Sequence, residues 1–330
     1  MKTSLRFTLT ASAALLLGSL SVRADILYVS EYFTRTTKQF TSDGVGSIFA
    51  DASDGLRRPR ELAFDGAGNL YVADHAADAI IKITPGGDVS VFASGVAARG
   101  LAFDSAGNLY TTTGSFQFAI ERFAPDGTRS LFAGDLLGLP RTLAFDRAGD
   151  LYVSTATGSI SGFDSAGNSY VSHFTGTIEK FTPDGVGSFF ASPSVRLPDG
   201  LAFDSAGNLF VAGFNDHMIE KFTPDGVGSI FADASDGLRQ PHGLAFDSAG
   251  NLYVANDSST IEKFTPDGVG SVFAIAHNSH LAFTDDNGVP LLQPGGRLIP
   301  EPATWALVGL GLPVLLGLSR PRRMGKAVEN

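Results

Sequence analysis

The chain has 330 residues, of which 34 are acidic, 24 basic and none cysteine. The missing sulfur excludes thiol catalysis, Cys-ligated zinc and an N-terminal lipoprotein anchor. With 43% apolar residues a large core can form, so collagen-like, disulfide-stapled and disordered classes fail on composition. Three of the basic residues fall in residues 1–24 and four after residue 299, with two of the acidic ones, which leaves 17 basic against 32 acidic residues between them. An acidic surplus of that size argues against nucleic acid as a partner.

The first predicted element is a leader. Lys2 and Arg6 precede a run rich in Leu, Ala, Ser and Thr from Phe7 to Val22, and Val22-Arg23-Ala24 offers small residues three and one before a cut. Residues 1–24 are therefore expected to be a secretory signal peptide handled by the Sec machinery, with the mature chain starting near Asp25.

From there one module repeats. Leu-Ala-Phe begins at Leu62, Leu101, Leu143, Leu201, Leu244 and Leu281, at intervals of 39, 42, 58, 43 and 37 residues. Such a period suits one four-stranded propeller blade. In the unit 243–274, Leu244 to Asp247 predicts strand a, Asn251 to Ala255 strand b, Ile261 to Phe264 strand c and Ser271 to Ala274 strand d. Asp247 to Asn251 has an aspartate able to cap its own turn and a glycine free to take positive φ, while Thr265-Pro266-Asp267-Gly268 suits a type I turn. Of the 26 phenylalanines, 17 occupy three repeated positions, as expected of packing between neighbouring sheets.

The ends of the repeat array predict its closure. Ile26-Leu27-Tyr28-Val29 is a strand b without a strand a, and Leu281-Ala282-Phe283 is a strand a without a successor. The expected fold is thus all-β: a six-bladed β-propeller over residues 25–285, with the C-terminal strand completing the first blade and removing an open edge. The long interval from Leu143 to Leu201 holds a broken copy, Phe163 to Asn168. It predicts an enlarged blade, with a seventh blade as the alternative. These phrases, and Pro241-His242-Gly243-Leu244-Ala245-Phe246-Asp247 most closely, resemble the NHL family, whose members are six-bladed propellers.

A Gly/Pro-rich linker (286–299) leads to the last segment, 300–330. Pro300-Glu301-Pro302 is followed by an apolar stretch from Ala303 to Leu318 and then by Arg320, Arg322, Arg323 and Lys326. As a helix the apolar stretch would be about 24 Å long, a marginal membrane span. The three parts in this order resemble the PEP-CTERM sorting signal of Gram-negative bacteria. That resemblance implies an exosortase as processing partner, a membrane-anchored precursor and an exported protein at the outer surface or in the extracellular matrix. A permanent C-terminal anchor is the alternative.

The site is expected where strands a start. The residues two before each repeated leucine are Arg60, Arg99, Arg141, Asp199, His242 and Ser279, and the ends of strands b add Glu31, Asp74, Thr112, Asn215 and Asn256. The three arginines, with Asp199 and His242, make a candidate seat for an anionic sugar or extracellular polysaccharide. As rim residues the arginines are expected to matter for binding and little for folding. Two enzyme families give the alternative. Pro198-Asp199-Gly200-Leu201-Ala202 resembles a phrase of the senescence-marker type gluconolactonases, which implies Asp199 and Glu61 as ligands of a divalent cation, Ca or Mg. However, Pro140-Arg141-Thr142 stands where that family has Pro-Asn-Gly. The Pro-His-Gly phrase at His242 is similar to one in streptogramin lyases, which implies His242 as an acid/base group. The favoured reading is a secreted binding or scaffolding module, and the alternative a metal-dependent lactonase or lyase.

Overall fold

The computed structural model describes residues 25–113, 118–134, 136, 138–157, 162–163, 169–170, 175–277, 279–285 and 291. The leader, the sorting motif with its apolar stretch and basic end, and nearly all of the 286–299 linker lie outside the described residues. Among the described residues no helix is long and apolar enough to cross a membrane.

The first blade supplies β1 (Ile26–Glu31), β2 (Thr36–Phe40) and β3 (Gly46–Ala50). The second is β4 (Pro59–Phe64), β5 (Leu70–Asp74), β6 (Ala79–Ile83) and β7 (Val89–Ser94), and the third β8 (Ala98–Phe103), β9 (Leu109–Thr113), β10 (Ala119–Phe123) and β11 (Arg129–Ala133). The fourth begins with β12 (Leu139–Phe145) and β13 (Leu151–Thr157), inserts β14 (Gly162–Phe163) and β15 (Ser169–Tyr170), and ends with β16 (Thr175–Phe181) and β17 (Gly187–Ala191). The fifth is β18 (Pro198–Phe203), β19 (Leu209–Gly213), β20 (Met218–Phe222) and β21 (Gly228–Ala232), and the sixth β22 (Pro241–Phe246), β23 (Leu252–Asn256), β24 (Thr260–Phe264) and β25 (Gly270–Ile275). Finally β26 (Ser279–Thr284) pairs antiparallel with β1, from Ile26↔Thr284 to Glu31↔Ser279, and completes the first blade.

Among the described residues the strands thus form six four-stranded antiparallel sheets and one two-stranded ladder. That ladder, Gly162↔Tyr170 and Phe163↔Ser169, is where the broken repeat goes. It lies in the chain between strands b and c of the fourth blade, so the surplus enlarges a blade and does not build a seventh.

Strands b read Leu-Tyr-Val-Ala or close variants because sheets cover both of their faces. Leu70, Tyr71, Val72 and Ala73 are all buried, and a strand enclosed in this way needs no polar alternation. One aromatic joint repeats between every pair of neighbouring blades. Tyr28 sits edge-on to Phe49 of its own blade and Phe64 of the next, and the same geometry recurs at Tyr71, Tyr110, Tyr152, Phe210 and Tyr253, with ring centroids 4.9–5.2 Å apart. Edge-to-face contact directs the positive ring edge at the negative face, which favours one arrangement over loose apolar contact. The phenylalanine stripe is therefore the inter-blade core.

The turn aspartates on the lower face are caps. Asp65 Oδ1 accepts the Ala67 and Asn69 backbone N–H groups at 3.0 and 2.9 Å, and its Oδ2 accepts the Asn69 side-chain amide at 2.8 Å. Asp104, Asp204 and Asp247 repeat all three bonds, and Asp146 repeats the backbone pair.

Candidate functional site at the channel mouth

The start of each strand a decides what reaches the axis. In β4, β8, β12, β18 and β22 the pairing shifts over the three residues before the repeated leucine, as between Pro59 and Leu62. This bulge carries the residue two before the leucine to the channel mouth. β26 pairs without a shift, and the mouth is lined there by His280, one residue before its leucine. His280 was not among the ring positions expected from the leucine spacing.

Arg60, Arg99, Arg141, Thr142, Asp199 and His280 surround a cavity of about 10 Å³, room for one water-sized group. Below it the six repeated leucines line an apolar channel of about 100 Å³, with Glu61 at its wall. The mouth can take a carboxylate oxygen but not a sugar ring.

The ring is electrostatically divided. Arg141 grips Asp199 through Nε to Oδ1 at 2.9 Å and Nη2 to Oδ2 at 2.8 Å, a bidentate pair. His242 Nδ1 meets the same Oδ2 at 2.9 Å. Burial works against the charge on Asp199, but Arg141 and His242 outweigh it and hold the carboxyl well below the usual carboxylate range. His280 Nδ1 lies 3.1 Å from Glu61 Oε2. Burial opposes charging of that imidazole, yet Glu61 prevails and raises it above the usual histidine value. Thr142 Oγ1 donates to the same Glu61 oxygen at 3.4 Å.

Arg60 and Arg99 stand apart from this network. The Nε atoms of both are buried without a hydrogen-bond partner, and among the described residues neither guanidinium has a carboxylate within ion-pair distance. Burial, then the charges of Arg60 and Arg141, pull Arg99 below the ordinary arginine value. Close by, burial followed by Arg60 and Arg99 keeps His75 low. In both groups burial is the larger cause and the neighbouring guanidinium charges add to it.

Arg141 departs from its expected role. Its side chain is 16% exposed and paired with a carboxylate that is 5% exposed, so it is a structural ion pair and not a solvated rim charge. The outer rim differs too. Asp74 accepts the backbone N–H groups of Arg57 and Arg58 at 2.6 and 2.9 Å, Asn256 accepts that of Arg239 at 3.0 Å, and Glu31 accepts that of His277 at 3.0 Å and pairs with Lys38 at 2.9 Å. These side chains staple inter-blade loops. In the fifth blade Asp216, not Asn215, has this part, accepting from the Arg196 backbone and from Arg196 Nε at 2.7 Å.

Three hydroxyls set the height of the ring, of which the sequence singled out Thr112 but neither Ser30 nor Ser154. Ser30, Thr112 and Ser154 donate to the carbonyls of Arg60, Arg141 and Asp199 on the following blade, the last two at 2.8 and 2.9 Å. They accept the backbone N–H groups of His280, Gly100 and Thr142 at 3.2, 2.8 and 3.1 Å. The signal was present, since these hydroxyls replace the alanines found at Ala73, Ala212 and Ala255 in the other repeats.

The carboxylates do not fit a divalent cation. Both Asp199 oxygens are engaged by Arg141 and His242, and a guanidinium and an imidazole occupy the side a metal would approach. Among the described residues no group of three or more His, Asp or Glu side chains could hold a metal ion.

With fold and mouth described, the chain falls into the class of six-bladed β-propellers. No family model matches it, and no curated protein matches its sequence. Solved structures share the architecture. A chain of the nidogen/laminin complex is 18% identical with a TM-score of 0.59, over 78% of this chain and 98% of that one. A gluconolactonase from Xanthomonas campestris is 23% identical with a TM-score of 0.54, over 69% and 82%. A catalytically inactive form of virginiamycin B lyase from Staphylococcus aureus is 14% identical with a TM-score of 0.56, over 79% and 88%. At these identities the likeness is one of fold.

Proposed function

We propose that the chain is an exported NHL-type propeller whose work is binding, and that it takes an anionic group against Arg60 and Arg99 at the channel mouth. One observation carries this: three guanidiniums converge on one small cavity, and among the described residues only Arg141 finds a carboxylate. A carboxylate bound there would complete the pairing the ring lacks, with charge-assisted hydrogen bonds to an arginine fork. The leader at 1–24 and the Pro300-Glu301-Pro302 tail with its basic end support export and exosortase sorting, which would present the mouth to extracellular polysaccharide.

The second reading, a metal-dependent lactonase or lyase, has the fold likeness to a gluconolactonase and a lyase and the Asp199-oriented His242 in its favour. Commitment of Asp199 to Arg141 weighs against its metal step. Titration calorimetry with a monomeric uronate, and separately with Ca²⁺ and Mg²⁺, distinguishes the two. Uronate binding lost in Arg99→Gln supports the anion seat. Stoichiometric cation binding lost in Asp199→Asn supports the enzyme instead.

A further inference from the structure

Resting on the anion seat at Arg60 and Arg99, we infer that the site continues outward over a strip formed by Arg60, Tyr32, Arg58 and Phe33, and that this strip seats the sugar rings of an acidic oligosaccharide. The size of the mouth leads there. A cavity of about 10 Å³ has room for one carboxylate oxygen, so the ring bearing that carboxylate must rest on the rim above.

The rim beside Arg60 is built for such a ring. Phe33, in the turn between β1 and β2, is 70% exposed and meets Tyr32 edge-to-face at 5.2 Å. The guanidinium carbons of Arg60 and Arg58 lie 5.0 and 5.3 Å from the centroid of the Tyr32 ring, and Arg58 Nη1 donates to the Tyr32 hydroxyl at 3.2 Å. Stacking of this kind holds the side chains in place before a ligand arrives.

The supports beneath are rigid. Asp74 fixes the backbone of Arg57 and Arg58. Glu31 accepts Thr34 Oγ1 at 2.7 Å and Thr36 Oγ1 at 3.0 Å, while the Arg35 N–H donates to the Glu31 carbonyl at 3.0 Å. Phe33 thus stands out from an anchored turn. The aromatic in the corresponding turn of the fifth blade, Phe214, packs 4.6 Å from His242 instead.

Chemistry selects the ligand. Arginine forks match carboxylates, and an exposed aromatic covers the apolar C–H face of a sugar ring. An aromatic strip with arginines also suits single-stranded nucleic acid. A chain with net charge −10 repels a long phosphate backbone beyond the local positive patch, so an acidic saccharide is the better match.

The test is calorimetric titration of the propeller, Phe33→Ala and Arg99→Gln with monomers and trimers of galacturonate, glucuronate and mannuronate, with a thymidylate oligonucleotide alongside. One trimer should bind the unaltered protein about tenfold more tightly than its monomer, a gain consistent with covering part of an aromatic side chain. Phe33→Ala should weaken the trimer more than the monomer and so lose the gain, with an unchanged melting temperature because the side chain is exposed. Arg99→Gln should weaken both. Monomer binding with no gain for the trimer, or a gain that survives Phe33→Ala, overturns the strip and leaves the anion seat. Failure of every uronate to bind, or binding unaffected by Arg99→Gln, overturns the seat and the strip together. Tighter, Phe33-dependent binding of the oligonucleotide reassigns the strip to nucleic acid and refutes the saccharide.

Discussion

At the lower face, five turns use an aspartate in the same way, with the same backbone N–H groups and bond lengths that agree to about 0.1 Å. At the upper face the six strands a carry Arg60, Arg99, Arg141, Asp199, His242 and His280 near their starts, and their partners differ from blade to blade. A turn cap solves a local problem that every blade shares, so copying the residue copies the solution. Ring residues face one another across the axis, so each is defined by the other five and copying would place six like charges around one cavity. The lower face therefore stabilises blades one at a time, while the upper face joins them through Arg141–Asp199–His242, a network spanning the fourth to sixth blades.

The largest effect that sharpens this contrast is expected at Asp199. Asp199→Ala leaves Arg141 buried without its counter-charge and should cost about 3–5 kcal/mol of stability, measured by chemical denaturation. Replacing Arg141 and Asp199 together by apolar residues of similar volume should be far milder, because a removed pair leaves no stranded charge. A double variant as unstable as the single would contradict the pairing.

Next in size is a lower-face cap. Asp204→Ala removes bonds to the Ala206 and Asn208 N–H groups and to the Asn208 amide, and should cost about 1 kcal/mol while leaving uronate affinity unchanged. A change in affinity would break the separation of the two faces. Ser154→Ala removes the donor to the Asp199 carbonyl and the acceptor of the Thr142 N–H. It should cost about 1–2 kcal/mol, since it releases the ring from the blade before it, with uronate affinity held because Arg60 and Arg99 are untouched.

The smallest effects concern pH. His280 has its folded pKa raised, so its contribution is present below the ordinary histidine value of about 6.5 and is lost as pH rises through the higher folded value. Asp199 has its pKa lowered, so its contribution is present above about 3.9 and is lost as pH falls through the lower folded value. Melting curves across pH should show His280→Gln removing the loss on the alkaline side alone. An identical pH profile for the variant would remove His280 from the account.

What the sequence revealed follows the same division. Blade number, closure by β26 and the aromatic joints were legible because each depends on residues that recur at fixed spacing. The enlarged fourth blade was legible from the broken copy at Phe163 to Asn168. At the site, spacing singled out Arg60, Arg99, Arg141 and Asp199, which line the mouth, and His242, which bonds Asp199, but not their pairing, which joins residues 58 positions apart across the axis. His280 was not legible because β26 lacks the bulge of the other strands a, and bulges leave no mark in a leucine count. Tyr32 and Phe33 belong to no repeated phrase and stood outside any comparison of the repeats.

The central claim is that Arg60 and Arg99 form the open half of the ring and Arg141 the closed half. Its most direct test is calorimetric titration of uronate monomers into Arg99→Gln and Arg141→Met/Asp199→Leu proteins, each first confirmed folded. Arg99→Gln should weaken binding about ten- to a hundredfold, the loss of one charge-assisted hydrogen-bond donor set at about 1.5–3 kcal/mol, whereas the paired replacement should change it by less than about threefold. Equal losses in both proteins, or loss only when Arg141 and Asp199 are replaced, would contradict the division of the ring.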